Sequence, residues 1–364
     1  MRVIKDGERK LGQILSRVSS IEKGDFMVGF LTIVLATLIV ICPRPESRAA
    51  SVQNKIVISH SGMNARYAHL WMAQERGFFA KQGLDTDVIF VKSGPVQVAS
   101  VASGDVQIGY APGITVVSAV AEGARLKIIA GFNNRITHDL VGRPGMKSME
   151  DLRRKRFGVQ SIGGSLWLSA LLGLEKFGLD PGRDDIKILV LGDQTVLTQA
   201  LETGAIDAAP LDTVFSRRLN QKGFPILAEL YGMNIPSLGN VVMGTQSYLE
   251  QNPEVAEGIL RGLIESLAFS LSPANKSITL KTLVTKLKIT DPSAAEQGYA
   301  DFAKTVERKP YPSLDGLRNI QRLMKPRNPK LEKVKPEDVI DDRLLRKLDD
   351  SGFITDTYIK YGVK

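Results

Sequence analysis

VASGDVQIGYAP, residues Val101–Pro112, is answered a hundred residues later by LETGAIDAAPLD, Leu201–Asp212. In each copy an apolar helical pattern ends on a small polar exit, and a short apolar run then leads to a proline. Gly-Leu-Asp occurs at 83–85 and again at 178–180, an offset of 95 residues. That tripeptide is a common way to leave a helix and would decide nothing alone. Together the echoes predict two lobes of similar build, and clefts between lobes are the usual home of small ligands.

The rest of the pattern extends outward from these copies. Ile56–Ile58 reads as a buried strand, Ala68–Phe79 as a helix closed by Gly77, and Asp85–Val91 as a strand. Pro95–Ser103 reads as a helix with proline in its first turn. Val106–Ile108 is a short strand, Pro112-Gly113 opens a helix to Glu122, and Leu126–Ala130 is a strand. The second round has strands at 157–160, 186–191 and 205–208, with helices at 165–177 and 194–203. Strands alternating with helices of about ten residues predict an α/β fold with mixed, mostly parallel sheets flanked by helices. A strand at 240–243 follows, then Asn252-Pro253-Glu254 starts a helix to Leu271. Helical patterns continue at 293–306 and 314–323, a turn-rich stretch spans 326–336, and a last amphipathic helix covers 339–348.

The chain has 364 residues, enough for about two domains. Its first fifty residues stand apart. Six basic residues precede an uncharged run from Phe26 to Cys42, and Pro43, Pro45 and Ala49-Ala50-Ser51 follow it. Basic segment, apolar segment and small-residue stretch come in the order of an export signal, removed near residue 50. The run is also nearly long enough to remain as a membrane anchor, an N-terminal apolar helix at 26–42. Either way the body belongs in the periplasm or otherwise outside the cytoplasm. Large residues before Cys42 disfavour lipidation. Removing 1–50 leaves 40 basic and 34 acidic residues and no cysteine, so disulfides, CxxC redox chemistry and cysteine zinc sites are excluded. Ten basic residues against three acidic ones lie in 304–335, a stretch that reads as a solvated helical face. No nucleic-acid partner is expected of an exported chain.

The chain contains no HExxH, GxSxG or GxGxxG motif and no phosphate loop with its lysine. The nearest approach is GVQSIGGS, Gly158–Ser165, with Gly164 where that lysine would stand. Such a turn either aims backbone N–H groups at a small anion or merely permits a strand–helix connection. Three other loops follow strands: Ser59–Asn64, Ser93–Pro95 and Tyr110–Gly113. Loops after parallel strands converge on one sheet edge, which would make a polar, donor-rich cleft. Arg66, Tyr67, Arg135, His138 and Asp212 lie near them. Each has a plainer reading: Arg66 as a surface charge, His60 and His138 as local hydrogen-bonders, Asp212 as the cap of a helix from Thr213. Trp71 and Trp167 read as core or rim.

WMAQERGFFAKQGLDTDVIFV (Trp71–Val91), VASVASGDVQIGYAP (Val98–Pro112) and AVAEGARLKIIAG (Ala119–Gly131) resemble extracytoplasmic substrate-binding proteins of ABC importers. The group is the nitrate, sulfonate, taurine and thiamine-pyrimidine-precursor type. GVQSIGGS, EKFGLDPGRDDIKILVLG (Glu175–Gly192), QALETGAIDAAPLD (Gln199–Asp212), NPEVAEGILRGLIESLAF (Asn252–Phe269) and LLRKLDDSGFI (Leu344–Ile354) continue the likeness in order. The resemblance implies a two-lobed type II periplasmic-binding-protein-like fold. Lobe 1 would be 55–135 plus 238–325, lobe 2 136–237, and 326–364 a helical extension on lobe 1. It implies a monomer that takes a small organic anion or pyrimidine-like compound into the inter-lobe cleft and hands it to a membrane permease. It implies no enzymatic activity and no cofactor or metal. Matching positions for ligand contact are Ser61, Gly62, Asn64, Ser93, Gly94, Tyr110, Ala111, Pro112, Ser161, Gly163, Gly164, Ser165 and Asp212, with Tyr67 added from its loop. An enzyme of the same fold acting on a pyrimidine- or pyridoxal-like substrate, and a membrane-anchored ligand sensor, are the alternatives. Eukaryotic precursor-synthesising enzymes of this fold carry a cysteine-rich motif, which this body lacks.

Overall fold

A computed structural model describes residues 55–363. The segment read as signal or anchor lies outside these described residues. Among them, no helix is long and apolar enough to cross a membrane.

The first round of elements is β1 (Ile56–His60), α1 (Ala68–Glu75), β2 (Thr86–Phe90), α2 (Gly94–Ala102), β3 (Ile108–Pro112), α3 (Gly113–Ala121) and β4 (Leu126–Gly131). The second is β5 (Asp139–Gly142), β6 (Arg156–Val159), α4 (Ser165–Lys176), β7 (Lys187–Val190), α5 (Gln194–Thr203), β8 (Ala208–Leu211), α6 (Thr213–Gln221) and β9 (Ile226–Glu229). The chain then returns through β10 (Asn240–Thr245), α7 (Gln246–Gln251), α8 (Pro253–Leu271), α9 (Lys276–Leu287), α10 (Pro292–Thr305) and α11 (Leu314–Met324). It closes with α12 (Pro336–Val339), α13 (Arg343–Asp350) and α14 (Phe353–Lys360).

Two five-stranded sheets result, ordered β2-β1-β3-β10-β4 and β7-β6-β8-β5-β9. In each, four strands run one way and one runs against them: β10 in the first sheet and β5 in the second. Each reversed strand is the one that enters after the chain crosses from the other sheet. The α/β two-lobed architecture of the sequence reading is therefore present, with mixed sheets flanked by helices.

The two crossings pair with each other. Ile136 N donates to Ile235 O at 3.0 Å, Ser237 N to Asn134 O at 2.9 Å and Gly239 N to Asn133 O at 2.8 Å. These antiparallel bonds satisfy backbone groups that would otherwise be stranded between the lobes. They make the floor on which a cleft can stand.

Several boundaries differ from the sequence reading, for physical reasons. The strands read at 106–108 and 205–208 lie at 108–112 and 208–211 and run through Pro112 and Pro210. Proline there faces an antiparallel partner, Asn240 and Leu140 respectively. The helix read to Phe79 stops at Glu75, because Gly77 turns left-handed with φ 71°. The last helix is displaced to 343–350, and α9 and α14 stand where no element was read.

Apolar packing does not stop at the lobe boundary. One cluster joins Val98, Ile114 and Ile128 of the first lobe to Leu140, Phe157 and Trp167 of the second, with Leu317 and Ile320 of α11. Full burial of each such side chain contributes about 1.5–3 kcal/mol. The basic stretch 304–335 is likewise more than a solvated face. Arg322 pairs with Glu175 of α4 at 2.8 Å, and the Arg327 guanidinium lies 5.3 Å from the Trp167 ring centre. Lys304 sits 4.5 Å over the Tyr231 ring and Lys309 pairs with Asp349 at 2.8 Å. The C-terminal extension docks through a bridge between Ile128 and Ile340 and through Asp341 N to Ile128 O at 2.8 Å.

Candidate ligand-binding site

Above the paired crossings lies a cavity of about 220 Å³, walled by both lobes. Its chemistry follows from the sheets. In each lobe the parallel strands end here, so the helices that follow begin here. Gly94 of α2, Pro112 before α3, Gly164-Ser165 of α4, Gln194-Thr195 of α5 and Asp212 before α6 all line it. Five helix N-termini thus face one small volume, each contributing partial positive charge.

The start of α4, like those of α2, α3 and α6, has no side-chain cap. Gly164 is its N-cap residue and no side chain caps it. Gly163 is left-handed, with φ 73°, and a Cβ on Gly164 would lie 2.7 Å from Ser161 Oγ. Gly163 is therefore needed for the turn, a side chain at Gly164 would have to push the Ser161 hydroxyl aside, and no side chain caps the helix end. By contrast α5 is capped by Asp193, whose carboxylate accepts from Thr195 N at 2.9 Å and Val196 N at 3.2 Å.

Ten of the fourteen residues read from the sequence line the cavity: Ser61, Gly62, Asn64, Tyr67 and Gly94, then Pro112, Ser161, Gly164, Ser165 and Asp212. Four do not. Tyr110 points to the other face of β3, into the core, where its hydroxyl meets His69 Nε2 at 2.9 Å. Ala111 is fully buried in the sheet opposite Val241. Ser93 is the N-cap residue of α2, and its carbonyl accepts from Gln97 N at 2.9 Å. Gly163 serves the turn and faces Met324.

The sequence reading missed the charge at the centre. Arg66, read as a surface residue, is 5 % exposed. Its guanidinium donates to the Asp212 carboxylate across the cleft. It also lies 3.6 Å from Asp301 of α10 and 3.3 Å from His138 Nε2. Gln194 orients Asp212 from the side: its amide donates to the carboxylate, and its Oε1 accepts from Asp212 N at 2.6 Å. Asp212 makes no side-chain cap to α6, so it is a partner of Arg66 rather than a helix cap.

Burial opposes charge on both members of this pair, yet each stays charged. Asp212 and Asp301 outweigh burial and hold the Arg66 pKa above its ordinary value. Arg66, His138 and Gln194 outweigh it at Asp212 and hold that carboxyl below its ordinary value. For Asp301 burial wins, and its pKa is raised. Burial also lowers His138 to about 4, so the ring is neutral at pH 7. Its Nε2 faces both the Arg66 guanidinium at 3.3 Å and Asp212 Oδ1 at 3.4 Å, and its Nδ1 lies 2.7 Å from Ser169 Oγ. His60 is lowered to about 4, chiefly by burial, and its Nδ1 lies 2.9 Å from Gly62 O.

Three cavity-lining residues hold a buried side-chain atom with no hydrogen bond within the chain: Asn240 Nδ2 and Arg66 Nη1, which are donors, and Asn133 Oδ1, which is an acceptor. Among the described residues no group of three or more His, Cys, Asp or Glu side chains is placed to hold a metal ion.

Residues 64–275 match the family described as NMT1/THI5 like. A Brucella abortus (strain 2308) protein, named only as a binding protein, is 33% identical over 144 residues. That match covers 38% of this chain and 41% of the relative, so the chain spans less than half the length of this relative. A Bacillus subtilis (strain 168) binding protein, YtlA, is 24% identical over 267 residues, 72% of this chain and 79% of the relative. Among solved structures, the periplasmic aliphatic sulphonate binding protein SsuA from Escherichia coli superposes with a TM-score of 0.64 at 18% identity. The superposition covers 80% of this chain and 96% of that one, a likeness of fold.

Proposed function

Because the chain belongs to the NMT1/THI5-like family, we propose that it is a solute-binding protein of an ABC importer. It captures a small organic anion in the inter-lobe cleft and delivers it to a membrane permease. The ligand is a sulfonate, taurine, nitrate or carboxylate-like solute, or a pyrimidine-like compound. The protein works outside the cytoplasm as a monomer, and the ligand leaves unchanged.

The bare N-terminus of α4 carries this reading. Its first N–H groups, the Ser161 and Ser165 hydroxyls and the free Asn240 amide are donors around one cavity. Such a set suits a small anion that needs no counter-charge beyond a helix end. Arg66 and Asp212 neutralise each other, so the donors rather than a net charge set the preference.

Thermal unfolding of the purified chain against a panel of sulfonates, carboxylates, nitrate and pyrimidines tests the proposal. A true ligand at a hundred times its Kd adds about 2.7 kcal/mol of stability, a shift of several degrees. No shift across the panel, or chemical conversion of a bound compound, overturns it.

A further inference from the structure

A second cavity, also of about 220 Å³, shares the Arg66–Asp212 pair with the first. Met63, Asn64, Thr195 and Phe215 border both. The remaining walls differ. His138, Ser161 and Gly164 border only the first. Thr213 and Val214 at the start of α6, Lys286 to Lys288 at the end of α9, and Gly298 and Asp301 of α10 border only the second. A single water needs about 10–15 Å³ of cavity, so the space admits a small organic molecule.

Three features of this second space select an anion. The first is Arg66, whose two terminal nitrogens face different neighbours. Nη2 reaches Asp212 and His138. Nη1 turns towards Asp301, which is 3.6 Å away and beyond hydrogen-bond reach, and it finds no acceptor although Arg66 is only 5 % exposed. A buried donor left without an acceptor costs stability, which a bound acceptor restores. The second feature is the first turn of α6. Asp212 O accepts from Phe215 N and Ser216 N, so Thr213 N and Val214 N lead the helix, and no side chain caps them. The third is Lys288, which is exposed and left-handed at φ 51°. Among the described residues it has no ion-pair partner, whereas Lys286 holds Glu75 at 2.9 Å. Asp301 opposes an anion, but burial raises its pKa and weakens that opposition. Met63, Ala65, Val214 and Leu287 add apolar wall.

We propose that the second cavity is a binding site for a short-chain carboxylate. Its head lies among Arg66 Nη1, the α6 N-terminus and Lys288, and its chain lies against Val214 and Leu287. The site is separate from the cleft cavity and does not depend on which solute that cavity takes. Arg66 follows β1 of the first sheet and α6 follows β8 of the second, so an occupant touches both lobes.

NMR titration of the full chain with butyrate tests it, with n-butylammonium as the cationic control. The amide of Thr213 reports on the second cavity and that of Ser165 on the first. Butyrate is expected to shift Thr213 saturably, and n-butylammonium is not. Val214→Asp sets a carboxylate in the first turn of α6, where a helix tolerates one, and should weaken the effect at Thr213 by about tenfold or more. Lys288→Gly, which suits the left-handed backbone, should weaken it about threefold. A Thr213 shift that survives both variants, or that n-butylammonium reproduces, overturns the anion site. Shifts that Gly164→Asp abolishes and Val214→Asp does not put the carboxylate in the cleft cavity alone, which overturns the second site and leaves the transport reading standing. No saturable shift at Thr213 overturns it as well.

Discussion

Ile56 and Arg156, Ile108 and Ala208, Leu126 and Ile226 begin corresponding strands, and each pair is 100 residues apart. At the same offset the cleft-facing residues part company. The first lobe has Asn64 and Arg66 after β1, and the second has Gly164 and Leu166 after β6. The first lobe has Pro112 where the second has Asp212. One scaffold therefore gives one wall a buried cation and the other a bare helix end with an anion. The contact across the cleft arises where the repeat has lost its symmetry, which assigns the strands to architecture and the turns to the ligand.

The comparison breaks most sharply at Arg66. Arg66→Leu, the residue of the other lobe at this offset, strands the buried Asp212 carboxylate and the part-buried one of Asp301. It should cost about 3–5 kcal/mol in chemical denaturation. Adding Asp212→Asn should recover part of that loss, because one stranded charge is removed. A double variant as unstable as the sum of the singles would show that the two side chains do not interact.

Acidification is next. His60 and His138 are lowered to about 4 and His69 to about 3, all by burial. The unfolded chain takes up these protons first, so the stability they maintain is complete above about pH 6.5. It is lost as the pH falls from there towards 4, on the order of 3 kcal/mol for each fully buried ring. Asp139 works in the opposite sense: burial raises it to about 6, which favours the fold between pH 4 and 6. Asp301 and Glu307 are raised by burial too and act in the same sense as Asp139, so three carboxyls oppose the three histidines. His138→Gln should make the denaturation midpoint flatter between pH 6.5 and 4, and an unchanged profile would remove His138 from the account.

Gly164→Asp sharpens the contrast between helix ends by giving α4 the carboxylate cap that α5 has. Stability should change by less than about 1 kcal/mol, whereas binding of a small anion should fall at least tenfold in titration calorimetry. Smallest of all is Arg322→Ala. It removes a half-exposed pair between α11 and α4 and should cost under about 1 kcal/mol.

Much of the fold was legible because apolar period and turn chemistry are local. The helix at 194–203 and that at 253–271 stand where the spacing puts them. The reversed strand Asp139–Gly142 and its neighbour Ile226–Glu229 were not legible. They have four residues each, and their pairing is set by crossings rather than by their own pattern. Of the site, the turns could be read, since glycine and serine after a strand have few other uses. The buried charge could not. Arg66 meets Asp212 146 residues away, and nothing beside Arg66 in the chain announces a partner at that distance. A lone acid at the head of a second-repeat helix, where the first repeat has proline, was the available hint.

The cleft cavity is lined by one part of the chain and braced by another that is made later. Helix α10 lies against α6, with Gly298 facing Val214 at 3.2 Å for a built Cβ, and carries Asp301 towards Arg66. Helix α11 holds the outer flank of α4 through Arg322 and Glu175. Both helices follow residue 290, whereas every residue that lines that cavity lies between Ser61 and Asn240, so a growing polypeptide has the whole lining before the helices that brace it arrive.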